Sequence, residues 1–87
     1  MAISSGQLSI STTAVEVSSP HPNASRIQIH NMDNTNDIYI GNGNVTTSNG
    51  FRLMKQDSVD LELLPTERIY AITVTGTVTL SFFRQNF

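Results

Sequence analysis

Apolar and polar residues alternate with a period of two along most of the sequence between residues 25 and 87. Successive side chains of a β-strand point to opposite faces of a sheet, so this alternation predicts strands with one buried face and one solvated face. Clusters of Gly, Asn, Asp and Pro interrupt the alternating runs at intervals of about ten residues, as turns between strands do. No run places apolar residues at helical spacing. The pattern therefore predicts an all-β chain.

The number and spacing of these runs, about seven to eight short strands, are typical of antiparallel sandwiches and barrels. We expect a compact antiparallel β-sandwich, jelly-roll-like in its connections, or a small barrel. The apolar residues of each run are predicted to face the core, and they are Ile27, Ile29, Ile38, Ile40, Phe51, Leu53, Val59, Leu61, Leu63, Tyr70, Ile72, Val74, Val78, Leu80 and Phe82.

The first 24 residues are less regular than the rest of the chain. Short runs at 8–10 and 14–17 alternate weakly and predict edge strands, whereas 1–6 reads as a tail. Two prolines near residue 21 then interrupt the chain, because proline has no N–H to donate. We expect a single domain, since 87 residues leave no room for a second core. It divides into an extended N-terminal arm with edge strands over 1–24, which orders on docking, and a sandwich core over 25–87.

Composition excludes several classes of protein. The chain has no cysteine, which rules out a disulfide framework and thiolate metal sites. Its net charge is −2 and its five Lys and Arg residues are scattered, so it lacks the basic stripe of a nucleic-acid binder. No stretch reaches the roughly 18 apolar residues of a membrane span. The N-terminal residues lack the basic and apolar regions of a secretory signal, so we expect synthesis in a cytoplasm.

A small β domain without disulfides has a thin stability margin, and association with other copies or a larger partner is the usual remedy. We therefore expect a homo-oligomer or a component of an assembly. Charged residues make up only 14% of the chain. Such a polar but weakly charged surface suits packing against protein more than steering a charged substrate.

Candidate catalytic and metal sites are weak. The glycines around Asn42 suggest a phosphate loop, but no helix pattern follows them, so turn chemistry explains them better. The segment 33–37 suggests a calcium loop, but it lacks the required glycine and bidentate glutamate. His21 and His30 are the only general-base candidates near neutral pH. We expect no enzyme activity, no cofactor and no metal.

Several apolar residues fall out of phase with the strands that contain them. Isolated exposed apolar residues are normal, and a two-sided core would absorb some of them. Clustered together, they would instead mark a contact surface. The residues predicted to form an interface, including two from the N-terminal arm, are Phe83, Phe87, Met54, Leu64, Tyr39, Leu8 and Ile10.

Three segments carry a resemblance to a known class of proteins. They are 38–53, which reads IYIGNGNVTTSNGFRL, then 59–63, VDLEL, and 69–72, IYAI. These segments resemble small tailed-bacteriophage virion accessory proteins, in which a strand ending in Tyr-Ile-Gly precedes a Val-Thr-Thr-Ser-x-Gly turn. The match covers about residues 25–83. The family's usual Pro/Ala-Gly turn is replaced here by Met-Lys-Gln-Asp at 54–57.

The resemblance implies a head decoration (cement) protein that binds the exterior of the capsid and stabilises contacts between major capsid subunits. Its expected partners are the major capsid protein and further copies of itself, arranged as a homotrimer, because such proteins match local capsid symmetry. The alternative is a tail- or fibre-associated module that binds host-surface glycans. That alternative needs an exposed aromatic ring beside Asn or Asp, for which Tyr39 is the candidate.

Overall fold

The computed structural model describes residues 2–18 and 22–86. In these residues it contains eight β-strands and no helix, which confirms the all-β prediction. The strands are β1 (Ala2–Ile10), β2 (Val15–Glu16), β3 (Ser25–Asn31), β4 (Ile38–Gly41), β5 (Phe51–Leu53), β6 (Ser58–Leu63), β7 (Tyr70–Thr73) and β8 (Val78–Asn86).

The strands form two four-stranded antiparallel sheets. The first sheet has the order β1-β8-β3-β6, and the second has the order β2-β7-β4-β5. The chain crosses between the sheets after nearly every strand, and only β4 and β5 are consecutive strands paired in one sheet. This interleaved order is that of the eight-stranded jelly roll. The fold is therefore a small β-sandwich, as the alternation predicts.

The core lies between the two sheets and is built on the strand alternation. In β3, Ile27 and Ile29 are completely buried, whereas Arg26 and Gln28 are exposed. The buried hydrophobic residues of the core are Ile10, Val17, Ile27, Ile29, Ile38, Ile40, Leu53, Leu63, Ile69, Ala71, Val78 and Leu80. Val59, Leu61 and Phe82 pack against them but remain partly accessible. Eleven predicted core positions thus lie in the core or against it, namely Ile27, Ile29, Ile38, Ile40, Leu53, Val59, Leu61, Leu63, Val78, Leu80 and Phe82.

The predicted phase of β7 is wrong. The structure buries Ala71 and Thr73 of this strand, and Val74, predicted to face the core, is 62% exposed. Apolar residues occupy both faces of the segment, so alternation alone does not decide which face is inward. The hydroxyl of Thr73 satisfies its buried position by donating to the carbonyl of Asp37 at 3.0 Å. Tyr70 and Ile72 are half-buried on the outer face.

The N-terminal residues belong to the sandwich. β1 pairs with β8 along its whole length, and β2 pairs with β7. β1 and β2 are both outer strands of their sheets. The predicted edge strands are therefore present, but the prediction of a tail over 1–6 is wrong from residue 2 onward. Ile10 is completely buried and Val17 is 2% exposed, so this segment supplies part of the core. Ile10 has no surface left for an interface, because both sheets enclose it.

Arg84 is a buried cation at an inward position of β8, where it is 2% exposed. Its Nε donates to the Ser25 hydroxyl at 3.0 Å and to the side-chain oxygen of Asn86 at 3.1 Å. Its Nη1 donates to the Ser18 hydroxyl at 3.1 Å, which ties the end of the N-terminal segment to the first sheet. Burial lowers the pKa of the guanidinium from its ordinary value.

Candidate interaction site

The sandwich is open along the edge where β5 and β6 lie. β6, at the edge of the first sheet, has six residues, and β5, at the edge of the second sheet, has only three. Most of β6 therefore has no complete strand facing it from the second sheet. Val59 and Leu61 point inward but are only half-buried as a result. Phe51 was predicted to be a core residue and is 61% exposed. It lies at the end of the short edge strand, where neither sheet covers it.

An apolar cleft of about 440 Å³ follows this edge. We call it the β5–β6 cleft and define it by its lining residues Ile40, Gly41, Asn42, Phe51, Val59, Leu61, Leu63, Glu67, Arg68 and Ile69. Apolar side chains from both sheets form most of its wall. A concave apolar surface with a few polar groups at its rim is the usual form of a binding site.

Glu67 and Arg68 form the polar rim of the cleft, and local contacts hold both side chains. The Glu67 carboxylate accepts a hydrogen bond from the N–H of Leu64 at 2.6 Å, and the N–H of Glu67 donates to the carbonyl of Leu64 at 3.1 Å. Arg68 lies 3.1 Å from the carboxylate of Glu16. A hydrogen bond with Tyr70, followed by the charge of Glu16, raises the pKa of the guanidinium. The rim is therefore preorganised around an apolar opening.

The loop between β4 and β5 covers the outer face of the second sheet. Val45 in this loop is 5% exposed and packs against Gly41 at the end of β4. The loop is closed by a hydrogen bond from the N–H of Gly50 to the carbonyl of Thr46 at 2.9 Å. Gly50 lies directly against Tyr39, which is half-buried as a result. Tyr39 therefore presents only part of its side chain to solvent.

The outer face of the first sheet carries an exposed aromatic side chain, Phe83. Phe83 of β8 is 46% exposed and lies opposite Ser5 of β1 and Gln28 of β3. A depression of about 220 Å³ lies beside it. Its lining residues are Arg26, Gln28, Asp60, Phe83 and Gln85. An apolar ring is thus framed by polar side chains on the surface of the sheet.

The structure does not bring the predicted interface residues into one patch. Phe83 lies on the outer face of the first sheet, and Tyr39 lies on the outer face of the second. Met54 and Leu64 are exposed at opposite ends of the six-residue β6, roughly 20 Å apart at the rise of a strand. Leu8 packs against the core. Phe87 lies outside the described residues.

The β5–β6 cleft is the feature that the sequence interpretation missed. Its inward residues Val59, Leu61 and Leu63 do alternate in the sequence, so their face is predicted correctly. What exposes them is the position of β6 at a sheet edge beside a short strand. Strand order is a property of the whole fold, and no local pattern reports it.

Asp33, in the segment that suggests a calcium loop, makes hydrogen bonds within its own loop. The Asp33 carboxylate accepts hydrogen bonds from the N–H of Asn36 at 2.6 Å and from the hydroxyl of Thr35 at 2.9 Å. The bond from the Asn36 N–H contributes most to lowering the pKa of Asp33, and the bonds from Thr35 add to it. Together these bonds close the loop between β3 and β4. His30 is a half-buried residue of β3, and His21 lies outside the described residues.

Residues 2–18 and 22–86 lack two further kinds of feature. No group of three or more His, Cys, Asp or Glu side chains there could hold a metal ion. The same residues form no helix of the length and hydropathy that crossing a bilayer requires.

Comparison with known proteins identifies the fold and no family. No family model matches the sequence, and no curated protein matches it. A structural search finds similarity to a solved structure from work reporting that Bacillus endospore appendages form a novel family of disulfide-linked pili. The TM-score is 0.66 and the sequence identity is 10%, over 99% of this chain and 86% of that one. This likeness shows a shared fold. The present chain has no cysteine with which to form a disulfide link.

Proposed function

We propose that this protein is a capsid decoration (cement) protein of a tailed bacteriophage, which binds the head exterior and stabilises contacts between major capsid subunits. The observation that carries the proposal is the β5–β6 cleft, an open and mostly apolar surface between the two sheets. Exposed apolar surface of this kind favours a protein partner. The resemblance of residues 25–83 to small phage virion proteins supports the major capsid protein as that partner.

The sandwich suits this task because it provides shape without chemistry. Both sheets are antiparallel and share one core, so the walls of the cleft are fixed before a partner arrives. Preorganised surfaces lose less conformational entropy on binding. An apolar side chain of the major capsid protein fills the cleft in this proposal, and Glu67 and Arg68 orient it at the rim. Many copies on one shell then add their small contacts by avidity, with trimers placed at three-fold positions.

The proposal is tested by binding to phage heads that lack the protein. Phe51→Asp places a charge at the mouth of the cleft, and we expect it to reduce co-sedimentation with heads at least tenfold. Val74→Asp is the matched control, because Val74 is 62% exposed, Phe51 is 61% exposed, and Val74 does not line the cleft. The control should bind as the wild type does. Equal binding by both variants would exclude the cleft, and no binding by the wild type would exclude decoration.

A second candidate is the tail- or fibre-associated glycan-binding module, and the surroundings of Phe83 favour it. Sugar rings stack on exposed aromatic faces, and their hydroxyls take hydrogen bonds from neighbouring polar side chains. Phe83 has Arg26, Gln28 and Asp60 in its depression, and it is more exposed than the half-buried Tyr39. A glycan array with wild type and Phe83→Ala tests this candidate. Glycan binding that Phe83→Ala abolishes supports it, and no bound glycan removes it.

A further inference from the structure

The two sheets have four outer edges, and three of them are protected. β2 has two residues and β5 has three, too few to template another strand. β6 is longer but carries Asp60 and Glu62. Short strands and charged side chains are the usual means by which proteins prevent edge-to-edge pairing.

β1 is the exception. It extends over nine residues as an outer strand of the first sheet. Its sequence, AISSGQLSI, contains neither a charged residue nor a proline. Within the described residues, its pairing partner is β8, on one side only. A long uncharged edge without a proline is the kind to which a further strand adds.

The hydrogen-bond pattern identifies which backbone groups of β1 face outward. The N–H of Met32 donates to the carbonyl of Thr79 at 3.0 Å, which continues the ladder between β3 and β8. Along a central strand of an antiparallel sheet, successive residues bond alternately to the strand on one side and to the strand on the other. Odd-numbered residues of β8 therefore bond to β3 and even-numbered ones to β1. By the register of β1 and β8, the N–H and C=O groups of Ile3, Ser5, Gln7 and Ser9 point to the free edge.

The side chains beside this edge add apolar surface. Ile3 is 63% exposed, and Phe83, directly across from Ser5, is 46% exposed. A strand added to β1 would pack its own side chains next to Ile3 and bring a second sheet face alongside Phe83. Within residues 2–18 and 22–86, the edge thus offers both outward-facing backbone groups without a strand partner and apolar contact area.

We propose that β1 is a self-association edge, at which β1 of a second copy pairs antiparallel and joins two four-stranded sheets into one of eight strands. The added strand comes from a second copy of this chain, because no charged side chains oppose one another when two β1 edges pair. Two β1 edges meet without any charged side chain, whereas two β6 edges would bring Asp60 and Glu62 of each copy together, and like charges across strands are destabilising. Antiparallel pairing of identical strands satisfies two-fold symmetry, the commonest symmetry of homo-oligomers. This pairing is proposed for the free protein in solution, whereas the three-fold grouping of the proposed function forms on the capsid, so neither proposal depends on the other.

The test is the mass of the protein in solution, measured by light scattering after gel filtration at about 50 µM. We expect the wild type to have about twice the chain mass of 9.5 kDa. Ser5→Lys/Gln7→Lys places two charges on the free edge and should give the monomer mass. Gln28→Lys/Thr79→Lys adds the same charge to exposed positions in the interior of the first sheet and should stay dimeric.

A wild-type monomer, a trimer, or an edge variant that remains dimeric would overturn the β1 pairing. A trimer would do so while leaving the three-fold arrangement of the proposed function in place. Hydrogen exchange of the wild type decides the case if the edge variant fails to fold. The proposal requires the amides of Ser5 and Gln7 to become at least tenfold more protected as concentration rises, and protection independent of concentration would contradict it.

Discussion

Gly50 lies against Tyr39 so closely that a Cβ at position 50 would stand 2.7 Å from the Cβ of Tyr39. The same Cβ would meet Val45 at 2.8 Å and the carbonyl oxygen of Thr46 at 3.0 Å. Real Cβ atoms do not approach other atoms this closely, so only glycine lets the loop between β4 and β5 fold onto the second sheet. Tyr39, which this loop contacts, is half-buried.

We expect Gly50→Ala to lower the free energy of unfolding by about 1–3 kcal/mol, because the added methyl group must displace backbone as well as side-chain atoms. Chemical denaturation measures the change. Gly43→Ala is the control in the same loop, since a Cβ there meets the Tyr70 ring at an ordinary 3.6 Å. Its effect should stay within about 0.5 kcal/mol. Equal costs for the two substitutions would show that the loop does not pack as described.

Asn31 is a second residue whose role depends on close contacts. It is completely buried, its amide donates to the carbonyls of Asn36, Leu53 and Met54, and its side-chain oxygen accepts from the N–H of Asp33. Asn31→Ala removes all four bonds and leaves their partners, which are buried or partly buried, without this side chain, so we expect a loss of about 2 kcal/mol or more. Thermal unfolding should show Asn34→Ala, at an exposed position in the loop that follows β3, to be nearly neutral. An Asn31→Ala variant as stable as Asn34→Ala would contradict this role.

The contrast between these residues and the core shows what the sequence could predict. Strand positions such as Ile27 and Leu80 follow from alternation alone, because a period of two maps directly onto the two faces of a sheet. Asn31 and Arg84 occupy inward positions in the same strands. Their burial depends on partners distant in the sequence, Leu53 for Asn31 and Ser18 for Arg84, so a local pattern does not predict it.

The same limit applies to the candidate sites. The exposure of Phe83 follows from its phase opposite to Phe82, and the structure agrees. The exposure of Phe51 and the free edge of β1 follow instead from the order of strands in the two sheets. That order is set by the chain crossing between sheets, which adjacent residues do not encode.

Phe82 and Phe83 provide a direct test of the phase of β8. Phe82 packs against the core and over Gly6, whereas Phe83 faces solvent. We expect Phe82→Ser to lower the unfolding free energy by more than about 2 kcal/mol, through lost burial and the space left behind. Phe83→Ser should change it by less than about 1 kcal/mol. Urea denaturation of both variants decides this, and equal effects would mean that the face assignment of β8 is wrong.

Asp33 gives a pH-dependent prediction. Its pKa lies below the ordinary value of 3.8, because its carboxylate accepts hydrogen bonds from Asn36 and Thr35. A lowered pKa contributes stability that is fully present above the unfolded-state value and is lost as pH falls through the folded-state pKa. Stability measured below about pH 4 should therefore fall less steeply in Asp33→Asn than in the wild type. An NMR titration that places the Asp33 pKa at or above its ordinary value would contradict this.

The location of the protein in purified virions tests the central claim most directly. Under the proposal a tailed phage encodes this chain, and cryo-EM reconstruction of its virions should show the eight-stranded sandwich on the outer surface of the head, with its β5–β6 cleft against major capsid subunits and copies grouped around three-fold positions. The density should be missing from heads of a phage in which the gene is deleted. Density on the tail or its fibres, or no density on the virion at all, would contradict the proposal.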